Sequence, residues 1–97
     1  MSEAHRFSAE LWEAGAADAW VFLTLPPDVS EEIREVPRPP RGFGSVRVEV
    51  TVGGTTWRTS VFPDARSGCY VLPVKRAVRQ AEDLEVGDTA QVGLVLV

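Results

Sequence analysis

Between Val46 and Val61 the chain reads VRVEVTVGGTTWRTSV, and no other stretch limits the fold so tightly. Val46, Val48, Val50 and Val52 alternate with Arg47, Glu49 and Thr51, the period of two that marks a strand with one buried face. Gly53-Gly54 follows at once, and a pair of glycines accepts the positive φ of a two-residue primed turn. A hairpin closed there has one register. Val52 faces Thr55, Val50 faces Trp57, Val48 faces Thr59 and Val46 faces Val61, all on one side. The other side sets Glu49 against Arg58 and Arg47 against Ser60. A slip of one residue would break both patterns.

The flanking segments read as more strands and two short helices. Phe7, Ala9 and Leu11 alternate with Ser8 and Glu10, and Glu13–Asp18 is expected to turn. Trp20–Leu25 is aromatic and apolar enough for a strand buried on both faces, ended by Leu25-Pro26-Pro27. Asp28 and Glu31 have capping-box spacing, and Val29, Ile33 and Val36 give the following helix its apolar stripe. Pro37 stops that helix. Pro37–Gly44 carries three prolines and reads as an extended loop; its match to a polyproline ligand is outweighed by its use as a stiff spacer. Pro63–Gly68 is a turn and Cys69–Leu72 a strand closed by Pro73. Val74, Ala77, Val78 and Ala81 recur at helical spacing, Leu84 and Val86 pack back on the core, and Gly87 leads into a closing strand, Thr89–Val97.

The order strand, Leu-Pro, short helix, turn, strand therefore occurs twice, over Trp20–Val52 and Cys69–Val97. Leu25-Pro26 corresponds to Leu72-Pro73 and Gly44 to Gly87. Neither unit buries its strands alone. The predicted fold is mainly β: a small closed or double-split barrel of two strand–helix–strand pseudo-repeats, with two short helices and no free sheet edge. It is one domain over residues 1–97, with residues 1–5 frayed. Two units in one chain predict a monomer.

Composition narrows the functional classes. Apolar residues make up 44% and charged residues 25%, which suits an ordinary folded domain. No apolar run spans a bilayer and no signal peptide is visible, so no membrane is expected. With one cysteine, Cys69, no internal disulfide forms, and a cytoplasmic location is the default. A net charge of −4 disfavours nucleic acid as a partner.

Little chemistry is written in motifs. His5 and Cys69 alone cannot make a metal site, and neither Ser60 nor Cys69 has a histidine in prospect to activate it. No cofactor, no metal and no catalytic residue are expected, and the chain is not read as an enzyme. Lys75 and Arg79, at i and i+4, share a helix face at a small cost in repulsion and are the candidate anion-binding pair. The plain alternative pairs Arg79 with Asp83 and leaves Lys75 solvated. Arg58, Ser60 and Tyr70 are candidate ligand-binding residues on one polar face of the barrel. Trp12, Trp20 and Trp57 read as core anchors. The reading is a non-catalytic binding domain for a small anionic ligand or a protein partner.

The second unit resembles the "LP-K-x-x-R … GD-x-V-x-V" signature of the AbrB/MazE superfamily, carried by Leu72, Pro73, Lys75, Arg79, Gly87, Asp88 and Val92. That resemblance implies an alternative role as a nucleic-acid-binding or antitoxin-like regulator. From Phe7 onward the chain is similar to the bacterial domain-of-unknown-function 1905 family. The shared parts are Gly53-Gly54 with Trp57, Ser60 and Pro63, then Tyr70–Pro73, Lys75, Arg79 and Gly87-Asp88. This implies an AbrB-like barrel within one chain and no settled activity. Some relatives add a C-terminal helical segment of the YdeI/OmpD type, which this chain does not reach, and Pro37–Phe43 is longer than the usual connection.

Overall fold

A computed structural model describes residues 4–15, 20–36 and 44–97. The turn expected between Ala16 and Asp18 and the proline-rich loop over Pro37–Phe43 lie outside the described residues. Seven strands form one antiparallel sheet: β1 (Ala4–Glu10), β2 (Trp12–Ala14), β3 (Trp20–Thr24), β4 (Val46–Val52), β5 (Thr55–Asp64), β6 (Cys69–Pro73) and β7 (Thr89–Leu96). Two helices complete it, α1 (Pro27–Glu35) and α2 (Arg76–Ala81). The strand order is β1-β7-β4-β5-β6-β3-β2. Neither helix is long and apolar enough to cross a membrane.

The β4–β5 hairpin has the expected register, with Val52↔Thr55, Val50↔Trp57, Val48↔Thr59 and Val46↔Val61. Val48, Val50 and Val61 are fully buried. On the outer side Arg58 Nε lies 3.3 Å from Glu49 Oε2, and the Thr51 and Thr56 hydroxyls are 2.9 Å apart. Only Gly53 of the turn pair has positive φ, +58°, the pattern of a turn whose first central residue is left-handed. The carboxylate of Glu82 sits over that glycine, and Thr55 Oγ1 donates to Glu82 Oε2 at 2.6 Å. The C-terminal end of α2 is thus tied to the hairpin tip.

β5 is long enough to serve two partners. Thr55–Val61 pairs with β4, and Phe62–Asp64 pairs with β6, so the segment expected to turn at Pro63 stays extended to Asp64. β7 joins the other side of β4 and takes β1 on its outer edge. Leu11, Leu23, Leu25, Ile33, Leu72 and Leu94 are completely buried with the hairpin valines and form one core.

The expected closed barrel is not formed. β1 and β2 stand at the two ends of the strand order, and no ladder joins them among the described residues. They follow one another through the single residue Leu11, and a hairpin that would set them side by side needs at least two loop residues. The sheet is an open half-barrel. Leu11 is held by its own main chain: its N–H donates to Asp88 O at 2.9 Å, and its carbonyl accepts from Gly87 N at 2.8 Å.

Other local expectations change for similar reasons. Ala4 and His5 are not frayed but pair with Val95 and Leu94 in β1. Glu13 and Ala14 belong to β2, paired with Val21 and Trp20, rather than to a turn. α1 has no side-chain cap, because Pro26 occupies the cap position and Asp28 falls inside the first turn; Glu31 instead pairs with Arg34 at 2.8 Å. Val29 and Ile33 are buried, but Val36 is exposed beyond the helix. Ser30, 1% exposed, fills the place of an apolar residue and docks α1 on β6: Tyr70 N–H donates to its Oγ at 3.0 Å.

Two substitutions test these accounts by denaturant unfolding. Gly53→Ala puts a Cβ at left-handed φ and pushes the Glu82 carboxylate aside, and costs about 1–2 kcal/mol, chiefly from the backbone. Gly54→Ala meets nothing within 4 Å and costs less. Ser30→Ala removes the hydroxyl that accepts from the Tyr70 amide and costs about 1 kcal/mol.

Candidate functional site

The end of β6 brings the candidate cations to the surface. β3 and β6 pair through Phe22↔Pro73 and Leu23↔Leu72, and Val74 N–H continues the ladder by donating to Val21 O at 2.8 Å. Val74 is therefore held extended and buried, and Lys75 caps α2 with φ −65° and ψ 153°. This delays the helix: Val74 lies before it rather than on its apolar face. In α2 itself only Val78 is buried, Ala77 and Ala81 being exposed. Leu84 packs on the core as expected, whereas Val86 is exposed.

A cleft of about 270 Å³ opens where β3, β6 and α2 meet. Trp20, Val21, Pro73 and Val74 form its apolar walls, and Lys75, Arg76 and Arg79 supply its charge. Lys75 and Arg76 are exposed. Arg79 is half-buried, and its Nε donates to Val74 O at 3.1 Å, which fixes the guanidinium across the β6–α2 junction. No ion pair engages any of the three among the described residues. In particular Arg79 does not pair with Asp83. The helix ends at Ala81 and Asp83 takes a left-handed φ of +53°, so the helical i, i+4 geometry that pair requires is absent. Among the described residues no carboxylate lines the cleft, and three positive charges act on it together.

The remaining candidates lie elsewhere. Arg58 is on the outer side of β5 against Glu49, and Ser60 sits on the same strand opposite Arg47. Tyr70 is buried in β6, with the Arg34 guanidinium 5.7 Å from its ring centroid. Lys75 and Arg79 share one cleft; Arg58, Ser60 and Tyr70 do not line it.

The tryptophans divide. Trp57 packs against the core with its Nε1 buried and without a partner among the described residues. Trp12 is half-buried and its Nε1 donates to Thr24 Oγ1 at 2.9 Å. Trp20 is 67% exposed and so is not the core anchor its sequence neighbours suggested. Val21, Leu23 and Leu25 take the buried side of that strand, which puts Trp20 on the other.

A larger hollow, about 420 Å³, lies over β1, β7 and β4. It mixes Arg6 with Glu49, Thr51 and Gln91 over the bare backbone of Gly93, and carries no single charge. No three of His, Cys, Asp or Glu group as metal ligands among the described residues. His5 Nδ1 lies 3.3 Å from Glu32 Oε1, and Cys69 is a buried thiol.

The chain belongs to the family described as Domain of unknown function (DUF1905), whose sequence model matches residues 7–94. No curated protein matches it.

The three cations differ in how much the fold needs them. Arg79→Gln removes the bond to Val74 O and lowers stability by about 1 kcal/mol. Lys75→Gln and Arg76→Gln each stay within about 0.5 kcal/mol of the parent in urea unfolding.

Proposed function

We propose that this DUF1905 domain is a non-catalytic binding module that takes a small anionic ligand in the cleft of Lys75, Arg76 and Arg79. One observation carries the reading. In a chain of net charge −4, three cations line one cleft, and among the described residues no carboxylate joins the lining and no ion pair occupies them. Such a set gains most by meeting an anion, and Arg79 is already anchored for it. The described lining residues include no His, Cys, Ser, Asp or Glu, which favours binding over catalysis. The single buried thiol, Cys69, agrees with a cytoplasmic setting.

The two-unit reading of the architecture draws support from strand register. Superposing Leu25-Pro26 on Leu72-Pro73 makes Thr24 the counterpart of Val71, and those two residues face each other across β3 and β6. Leu23 faces Leu72; their counterparts, Tyr70 and Leu25, are joined by Leu25 N–H donating to Tyr70 O at 2.9 Å. Superposing Gly44 on Gly87 matches Val50 to Gly93 and Thr51 to Leu94. Val50 pairs with Leu94 and Thr51 with Gly93. Pairs that exchange into one another in this way are what antiparallel ladders astride a two-fold axis produce. AbrB/MazE-type chains bring one such unit each, whereas here both lie in one sheet, which favours a monomer.

Two measurements test these readings. Inorganic phosphate or pyrophosphate raises the melting temperature, because a ligand of the native state stabilises it, and Lys75→Glu with Arg76→Glu abolishes the rise. No shift with either ion, or an equal shift in the double variant, sinks the anion site. Duplex DNA binding that weakens steeply with salt and is lost in Arg76→Glu transfers the cleft to an AbrB/MazE-type regulator. Sedimentation is expected to give 10.6 kDa at micromolar concentration. A dimer that survives dilution contradicts the monomer.

A further inference from the structure

The geometry points to a ligand that joins a flat ring to its anionic group, of the mononucleotide class, with the ring stacked on Trp20 and the phosphate held by Lys75, Arg76 and Arg79. The inference rests on the anion-binding reading of the cleft and adds a second recognition element to it.

Trp20 is the largest apolar side chain left in solvent among the described residues, and it stands in the wall of the cleft that gathers Lys75, Arg76 and Arg79. Its ring is not loose. Trp20 and Phe22, two residues apart, share a face of β3, with ring centroids 6.4 Å apart and planes 18° from parallel. Phe22 in turn lies 5.2 Å from Trp12, whose indole nitrogen is bonded to Thr24. Trp20 is thus the exposed member of a braced aromatic group, and little rotamer freedom remains to be lost when a ring settles on it.

The arrangement sets the ligand's size and chemistry. A cleft of about 270 Å³ is below the range of about 300–1,000 Å³ typical of drug-sized ligands, and suits one ring with one charged group. Aromatic stacking supplies affinity for any planar ring, and the guanidinium and ammonium groups favour phosphate or carboxylate. A nucleic-acid strand shares this chemistry, but a net charge of −4 and a three-cation footprint favour the free nucleotide.

Calorimetric titration with adenosine 5′-monophosphate, inorganic phosphate and an eight-residue thymidine oligonucleotide tests the proposal on the full chain. Adenosine 5′-monophosphate is expected to bind at least about tenfold more tightly than phosphate. Trp20→Leu brings it down to the phosphate value and leaves phosphate binding unchanged, and Trp20→Tyr restores part of the difference. Trp20 is exposed, so the variants are expected to keep the fold, which amide chemical shifts verify. Equal affinity for the nucleotide and phosphate in the parent chain overturns the ring while sparing the anion site. Failure of every probe, with the parent folded, overturns both. An oligonucleotide that binds more tightly than the mononucleotide, and loses that advantage in Trp20→Leu, overturns the free nucleotide in favour of a single strand.

Discussion

The two-residue turn at Gly53-Gly54 holds four alternate valines of β4 against their partners on β5, and the other strands take their places from that pair. β7 adds to the free side of β4, and β6 adds to the far end of β5. β3 follows on β6, and with it comes the wall of the cleft. The turn is guarded at its tip, where Glu82 covers the left-handed glycine and bonds to Thr55. Burial of Val48, Val50 and Val61 supplies the driving force, and the primed turn supplies the register.

The hairpin was legible in the sequence because three independent signals agreed on it: two alternating strands, a turn of fixed length, and charges that match across the outer face. β3, β6 and β7 were legible from their apolar runs, whereas Glu13-Ala14 and Pro63-Asp64 read as turns and are strand. The helices were less so. Val74, Ala77, Val78 and Ala81 keep a helical period, yet a single long-range bond from Val74 N to Val21 O holds the first of them in the sheet. Asp28 and Glu31 keep capping-box spacing, yet Pro26-Pro27 sets the helix entrance two residues earlier. Local spacing states what a segment favours; pairing with a distant strand decides where it starts.

The candidate site shows the same division. Lys75 and Arg79 could be singled out as a like-charged pair on one helical turn, and they do line one cleft. That Arg79 would ignore Asp83 depends on where α2 ends, and that Trp20 would stand beside the pair depends on β3 meeting β6. Neither is encoded within a window of neighbouring residues. The small set Trp12, Phe22 and Trp20 was readable only as a set of apolar residues, since which side of β3 faces inward is settled by Val21, Leu23 and Leu25 against the core. Arg58 and Ser60 share the outer face of β5, Tyr70 is buried in β6, and none of the three lines the cleft.

The clasp at Leu11 has a bearing on how the domain is made. β1 finds its partner in β7, so Ser8 bonds to Gln91 across nearly the whole chain. The hairpin, by contrast, closes within a few residues of its turn. During synthesis the β1–β7 ladder cannot form until Thr89–Leu96 has left the ribosome. Closing so long a loop is entropically unfavourable until the rest of the sheet stands ready to receive it. A chain lacking β7 leaves β1 without its partner and one edge of β4 unpaired, the kind of open edge that invites pairing with another chain.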